Sequence, residues 1–85
     1  MTRAHLNGQS TDDRILLALK RGPLREYELS ARLSLNRQTV GKALARLLHE
    51  VEREPVPGHP RYMAYRLSAV GQQRVDLLEC LRKQA

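Results

Sequence analysis

The sequence predicts a small, mainly α-helical domain with a single β-hairpin, its elements running helix, helix, helix, hairpin, helix. Three observations lead there. The chain has 85 residues, 41% of them hydrophobic, with no Phe or Trp and three Tyr, so it builds one core from Leu, Val, Ile, Ala and Met and no more. Apolar residues recur at the helical interval in three successive stretches, broken at Gly22-Pro23 and at Ser34-Leu35-Asn36. Beyond these stretches the pattern turns to alternation around Pro57-Gly58-His59-Pro60, then reverts to the helical interval.

The first helix is expected over 12–21, DDRILLALKR, with Ile15, Leu16, Ala18 and Leu19 as its apolar face. Acids in its first turn and bases in its last suit the helix dipole. Ser10 or Thr11 serves as N-cap, and Gly22 followed by Pro23 stops the helix, since Gly accepts the left-handed conformation and Pro cannot continue the ladder. A short second helix is expected over 26–33, where Leu29 and Leu33 lie one turn apart on a shared face. Asn36 caps a third helix predicted from Arg37 to about Glu50, whose Val40, Leu44, Leu47, Leu48 and Val51 fit one buried stripe.

VEREPV and RYMAYRLS read as the two arms of the hairpin. In the second arm Met63, Tyr65 and Leu67 fall on one side and Tyr62, Ala64 and Arg66 on the other. Ser68 caps a last helix over about 69–83, with Val70, Leu77, Leu78 and Leu81 as its apolar stripe and Val75 at the margin. The chain thus divides into a flexible polar lead over 1–10, a folded domain over 11–68 and a C-terminal helix over 69–85.

Charge and cysteine content narrow the function. Fifteen Lys and Arg against nine Asp and Glu leave a net charge of +6, which favours a polyanionic partner, nucleic acid first. One cysteine, Cys80, closes no intramolecular disulfide and makes no cysteine-rich zinc site, so it reads as a packing residue. The longest apolar run, Ile15 to Leu19, is far short of the roughly 20 residues of a membrane span, and the N-terminus lacks a signal-peptide pattern. The cytoplasm is the expected compartment, with no membrane partner.

The segment LSARLSLNRQTVGKAL, Leu29 to Leu44, sets Leu29, Leu33, Leu35, Val40 and Ala43 where two helices crossing at a short turn must touch. Leu35 lies in the turn itself and plugs the angle, the mark of a helix-turn-helix. With the GPL that ends the first helix, the run ELSARLSLNRQTVGKALARLLHE and the hairpin PGHPRYMAYRLSAVG, residues 12 to 75 resemble a winged helix-turn-helix transcriptional regulator. The broad class is the one that includes the multiple-antibiotic-resistance-regulator (MarR) and PadR families. The sequence departs from the pattern at Ser30, where Ala is usual, at Ser34, where Gly is usual, and at Arg25, where a capping Ser or Thr is common. The resemblance implies a mainly α fold with a β-hairpin wing, a third helix that enters the DNA major groove, and a role in transcription.

With the apolar stripe turned inward, Gln38, Lys42, Arg46 and His49 point outward on the third helix, with Thr39 beside them and Gly41 and Ala45 at the border. Arg37, Lys42 and Arg46 carry positive charge there, and no acid occurs from Ser34 to His49. Arg37, Gln38, Thr39 and Lys42, near the helix start, are the candidates for base edges, because Arg pairs bidentately with guanine and Gln with adenine. Arg46 and His49, further along, are candidates for phosphate. An ordinary solvated basic face is the plain alternative for these cations. At the hairpin tip Arg61 is a candidate for flanking backbone or minor groove, and His59 a weaker one. Leu77, Leu78 and Leu81 form a candidate dimerisation surface, since a domain this small gains from burial against a second copy.

Other chemistry has little support. Asp12-Asp13 belongs at a helix start and Glu52/Glu54 alternates along a strand, so neither carboxylate pair implies acid-base catalysis. His5, His49 and His59 lack metal-ligand spacing. No phosphate-binding glycine loop is present, and neither an enzyme, a cofactor nor a small-molecule ligand is expected. The sequence therefore reads as a sequence-specific binder of double-stranded DNA acting as a homodimeric transcriptional regulator. Two rivals stay open: a winged-helix module that binds protein, and a DNA-binding factor of replication, partition or recombination.

Overall fold

The computed structural model describes residues 10–84, so nearly all of the expected lead over 1–10 lies outside the described residues. Helix α1 spans Thr11–Leu19. Ser10 is its N-cap, its Oγ accepting the Asp13 backbone N–H at 3.2 Å. Expected to reach residue 21, α1 ends earlier: the Gly22 N–H reaches back to the Leu19 carbonyl at 3.1 Å, and Gly22, at φ +146°, turns the chain out of the helix.

The next two residues after Pro23, Leu24–Arg25, form strand β1, which the sequence pattern does not anticipate. Two residues carry no periodic signal; only their pairing with a distant strand defines them. Helix α2, Glu26–Leu33, has the expected bounds. Ser34 then takes the left-handed conformation at φ 55°, and the Leu35 N–H donates to the Ser30 carbonyl at 3.0 Å. Ser30 also donates from its hydroxyl to the Leu35 carbonyl, so the residue that departs from the usual Ala pins the turn from within. Arg14 Nη2 donates to the Leu33 carbonyl at 2.9 Å, satisfying an orphan acceptor at the end of α2.

Helix α3 spans Arg37–Arg46, capped by Asn36, whose Oδ1 accepts the Gln38 N–H at 2.7 Å. It stops short of the expected Glu50. Leu47 to Glu50 form a turn closed by Glu50 N–H to Leu47 O at 3.0 Å, and the chain leaves the helical axis. Val40, Leu44 and Leu47 are buried as expected, but Leu48 is 71% exposed because the stripe no longer applies once the helix ends. Val51 is buried as the first residue of a strand instead.

Strands β2, Val51–Val56, and β3, His59–Leu67, form the wing, and the sheet order β1-β3-β2 puts β3 in the centre. The antiparallel register runs from Val51 opposite Leu67 to Pro55 opposite Met63, then shifts so that Val56 faces His59. Pro60, Arg61 and Tyr62 fall in the bulge that this shift creates. The turn itself is Pro57-Gly58, with Gly58 at φ +81°. Tyr65 and Leu67 pack on the core as the alternation predicts, but Ala64, on the opposite side, is also buried, between Arg25 and Glu54 of the flanking strands.

Helix α4 spans Ala69–Gln84. Ser68 caps it by accepting the Gly71 N–H at 3.1 Å, and its hydroxyl donates to the His49 carbonyl at 2.6 Å, tying the helix start to the turn after α3. The stripe expected on α4 is rotated: Val75, placed at its margin, is fully buried, while Val70, Leu77 and Leu81 are 51%, 60% and 55% exposed and Leu78 is half-buried. Arg74 holds the helix down through Asp13 Oδ1 at 3.1 Å and Glu50 Oε2 at 3.3 Å. The core joins Ile15, Leu16, Leu29, Val40, Leu47 and Val75, drawn from all four helices and the turn after α3, and no polar side chain is buried in it among the described residues. No helix among the described residues is long and apolar enough to cross a membrane.

Candidate nucleic-acid interface

Val40, Ala43 and Leu44 turn one side of α3 into the core and leave the other side in solvent. Arg37, Gln38, Thr39, Lys42, Ala45 and Arg46 are all exposed, and Gly41 is half-buried at the border. Among the described residues, the side chains of Gln38, Thr39 and Lys42 make no hydrogen bond or ion pair, so their polar ends face solvent rather than a neighbour. The expected base-reading residues therefore share one free surface at the start of α3.

The two cations at the ends of this helix differ. Arg37 Nη2 is 3.6 Å from Glu26 Oε1, a long contact that leaves its side chain mostly exposed. Arg46, expected at a phosphate, grips Asp12 with two bonds, Nη2 to Oδ1 at 2.6 Å and Nε to Oδ2 at 3.3 Å. The hydrogen bonds that Arg46 donates to Asp12, and then the carboxylate's charge, push the Arg46 pKa above its ordinary value. Thus the run without acids in the sequence receives two in space, Glu26 at its start and Asp12 at its end. His49, expected on the same face, lies in the turn beyond the helix; it is exposed, and its carbonyl is taken by Ser68.

The wing adds charge beside the helix. Arg66 binds both acids of β2, with Nη2 to Glu52 Oε1 at 2.6 Å and Nε to Glu54 Oε1 at 2.7 Å. This offsets one of the two negative charges on the outer face of the strand. Arg53 alternates with those acids and so projects to the other side, towards α3. There it helps to line a groove of about 330 Å³ with Gly41, Leu44, Ala45, Leu48, Val51 and Tyr65. Arg61 is exposed on the bulge of β3 and lines a second cleft of about 250 Å³ with Arg25, Arg37 and Arg53.

Arg25 and Arg53 are absent from the sequence-based candidates. Strand alternation with Glu52 and Glu54 is a signal that points to Arg53, whereas Arg25 joins the cleft only through pairing of β1 with β3. His59 sits beside Tyr62, ring centroids 5.8 Å apart, rather than standing free at the tip. Among the described residues no cluster of His, Cys, Asp and Glu has the arrangement of a metal site.

No protein-family model matches the chain, and no curated protein sequence is found as a relative. Solved structures do match. A doubly substituted mutant of ZitR from Lactococcus lactis superposes with a TM-score of 0.83 at 17% identity, covering 89% of this chain and 53% of its own. The transcriptional regulator BldR from Sulfolobus solfataricus gives 0.77 at 22%, covering 87% and 55%. FabT of Streptococcus pneumoniae, in complex with DNA, gives 0.77 at 18%, covering 86% and 53%. The chain spans just over half the length of these proteins. It has the fold they share, a winged helix-turn-helix.

Proposed function

We propose that the chain binds double-stranded DNA in a sequence-specific manner and serves as a transcriptional regulator, with α3 in the major groove and the wing against the flanking backbone or minor groove. The observation that carries this reading is the free surface at the start of α3, where Arg37, Gln38, Thr39 and Lys42 stand exposed on a helix locked to the core by its opposite side. Guanidinium and carboxamide groups held on a rigid helix can read base edges, because each offers a fixed pair of hydrogen-bonding atoms to one base. Arg53 and Arg61 add charge from the wing, where phosphates beside the groove would lie. The likeness to regulators, one of them solved with DNA, supports the same reading.

Two copies would pair through α4. Leu77 and Leu81, exposed along that helix, supply apolar surface that a second copy buries, and a two-fold axis then sets two α3 helices on half-sites roughly 34 Å apart. Selection of bound sequences from a randomised duplex library tests the function. A palindromic site recovered by the protein supports it. Recovery of no sequence preference, with binding to protein partners instead, assigns the fold to a protein-interaction role.

A further inference from the structure

Arg25 is an unusual residue for the start of a helix. It precedes Glu26 at the N-cap of α2, yet a guanidinium has no acceptor with which to cap an exposed N–H. Capping is served in reverse: the Arg25 backbone N–H donates to Glu28 Oε1 at 2.8 Å, which leaves the long side chain free for another task. That side chain lies on aromatic rings. Its Cζ is 4.0 Å from the ring centroid of Tyr62, in the bulge of the wing, and 4.6 Å from that of Tyr27. Tyr62 in turn contacts the ring of His59 near the tip. A chain of stacked groups therefore joins the start of α2 to the wing.

The stack opens onto the cleft of about 250 Å³, where Arg25, Arg37, Arg53 and Arg61 converge between α2, α3 and the wing. Among the described residues the one acid in its lining, Glu26, is engaged by Arg37. Four cations converging without four acids cost repulsion that an anion would relieve. The cleft is large enough to admit a phosphate group, and a guanidinium stacked on its face still offers its edge N–H groups as a fork. The location decides the source of the anion, since the cleft separates the base-reading start of α3 from the wing, where one strand of a duplex would cross.

We infer that this cleft clamps a single phosphodiester of the DNA backbone, that Arg25 is one of its ligands, and that Tyr62 is a positioning residue that holds Arg25 in place and fixes the wing. The inference rests on the DNA-binding reading above. It differs from it in assigning a discrete contact to residues outside α3 and the wing tip.

The test is the affinity of the full chain for a mixed-sequence 30-base-pair duplex, measured from about 50 to 200 mM salt. Wild type is compared with Arg25→Ala, Arg25→Lys and Tyr62→Leu, and with Lys20→Ala, which removes one charge where Lys20 pairs with Glu79. Arg25→Ala is expected to bind roughly ten-fold more weakly, and its plot of log affinity against log salt to be shallower by about 0.9, the signature of one phosphate lost. Arg25→Lys, which keeps the charge but loses the fork and the stack, falls between the two. Tyr62→Leu weakens binding several-fold although no charge is removed, and Lys20→Ala changes little. Thermal unfolding of each variant confirms that it is folded; if Arg25→Ala is not, the Lys and Leu variants decide. Arg25 variants indistinguishable from Lys20→Ala overturn the clamp while DNA binding stands, and an unaltered Tyr62→Leu overturns the positioning role. A wild-type chain that does not bind the duplex overturns both readings.

Discussion

Arg46, the last residue of α3, closes a two-bond ion pair on Asp12, in the first turn of α1, with Nη2 to Oδ1 at 2.6 Å and Nε to Oδ2 at 3.3 Å. A bidentate guanidinium–carboxylate contact fixes direction as well as distance, so it ties the far end of α3 to the rest of the fold. It also offers Asp12 a partner at a helix start, where its charge is favoured. Arg46→Ala is therefore expected to lower the unfolding temperature modestly, and more at low salt than at high. Its effect should not add to that of Asp12→Ala, and its affinity for DNA should fall less than that of Lys42→Ala. Thermal melts of the single and double variants, with duplex titrations alongside, check both statements; additive melting effects contradict the pairing.

Base reading is assigned to the start of α3. Arg37→Ala or Gln38→Ala should cost roughly 1–3 kcal/mol on the selected site and relax the preference at particular base pairs, whereas an Arg53→Ala loss should be similar on every sequence. Binding profiles across singly mutated sites separate the two patterns. Unchanged profiles and affinities for both α3 variants contradict the assignment.

Gly71 is required by a close approach of backbones. A Cβ built there would overlap the Glu50 carbonyl oxygen, which is itself bonded to the Ser68 N–H at 2.9 Å and cannot swing away. Gly71→Ala should destabilise by at least about 2 kcal/mol, as overpacking against fixed backbone does, although Ala is the better helix former. Denaturant unfolding measures it, and a stabilised variant contradicts the packing.

Ser34 occupies a left-handed position at φ 55°, where most side chains are strained. Ser34→Gly should leave stability unchanged or raise it by about 0.5 kcal/mol, since relief of strain is offset by the freedom of glycine in the unfolded chain, and Ser34→Val should lower it by more than about 1 kcal/mol. Equal melting temperatures for the Gly and Val variants contradict the strain.

What can be read from the sequence is local. The bounds of α2, the Asn36 cap and the Leu35 plug follow from residues within one or two turns of each other. Leu48 is misplaced by its stripe because periodicity does not reveal where the helix axis ends; the pairing of Val51 with Leu67 decides that. Val75 moves from the margin of its stripe to the centre because the docking of α4 depends on Gly71 meeting Glu50, a contact between distant segments. The start of α3 is legible as a candidate site because its free side chains are neighbours in sequence. Arg25 is not, since only β1 pairing with β3 carries it to Tyr62.

The exposed leucines of α4 test assembly. Leu77→Glu with Leu81→Glu should convert a dimer to a monomer at tens of micromolar with little loss of fold, because both side chains stand more than half in solvent. Sedimentation of the parent and the double variant measures it, and a monomeric parent or a dimeric variant contradicts the pairing.

The central claim, that the basic surface of α3 and the wing meets a DNA duplex, is tested most directly by the salt dependence of duplex binding. If about six or more phosphates are contacted, affinity should fall by roughly three orders of magnitude or more between 50 and 200 mM salt. Binding that does not change across that range, or no binding at 50 mM, contradicts the account.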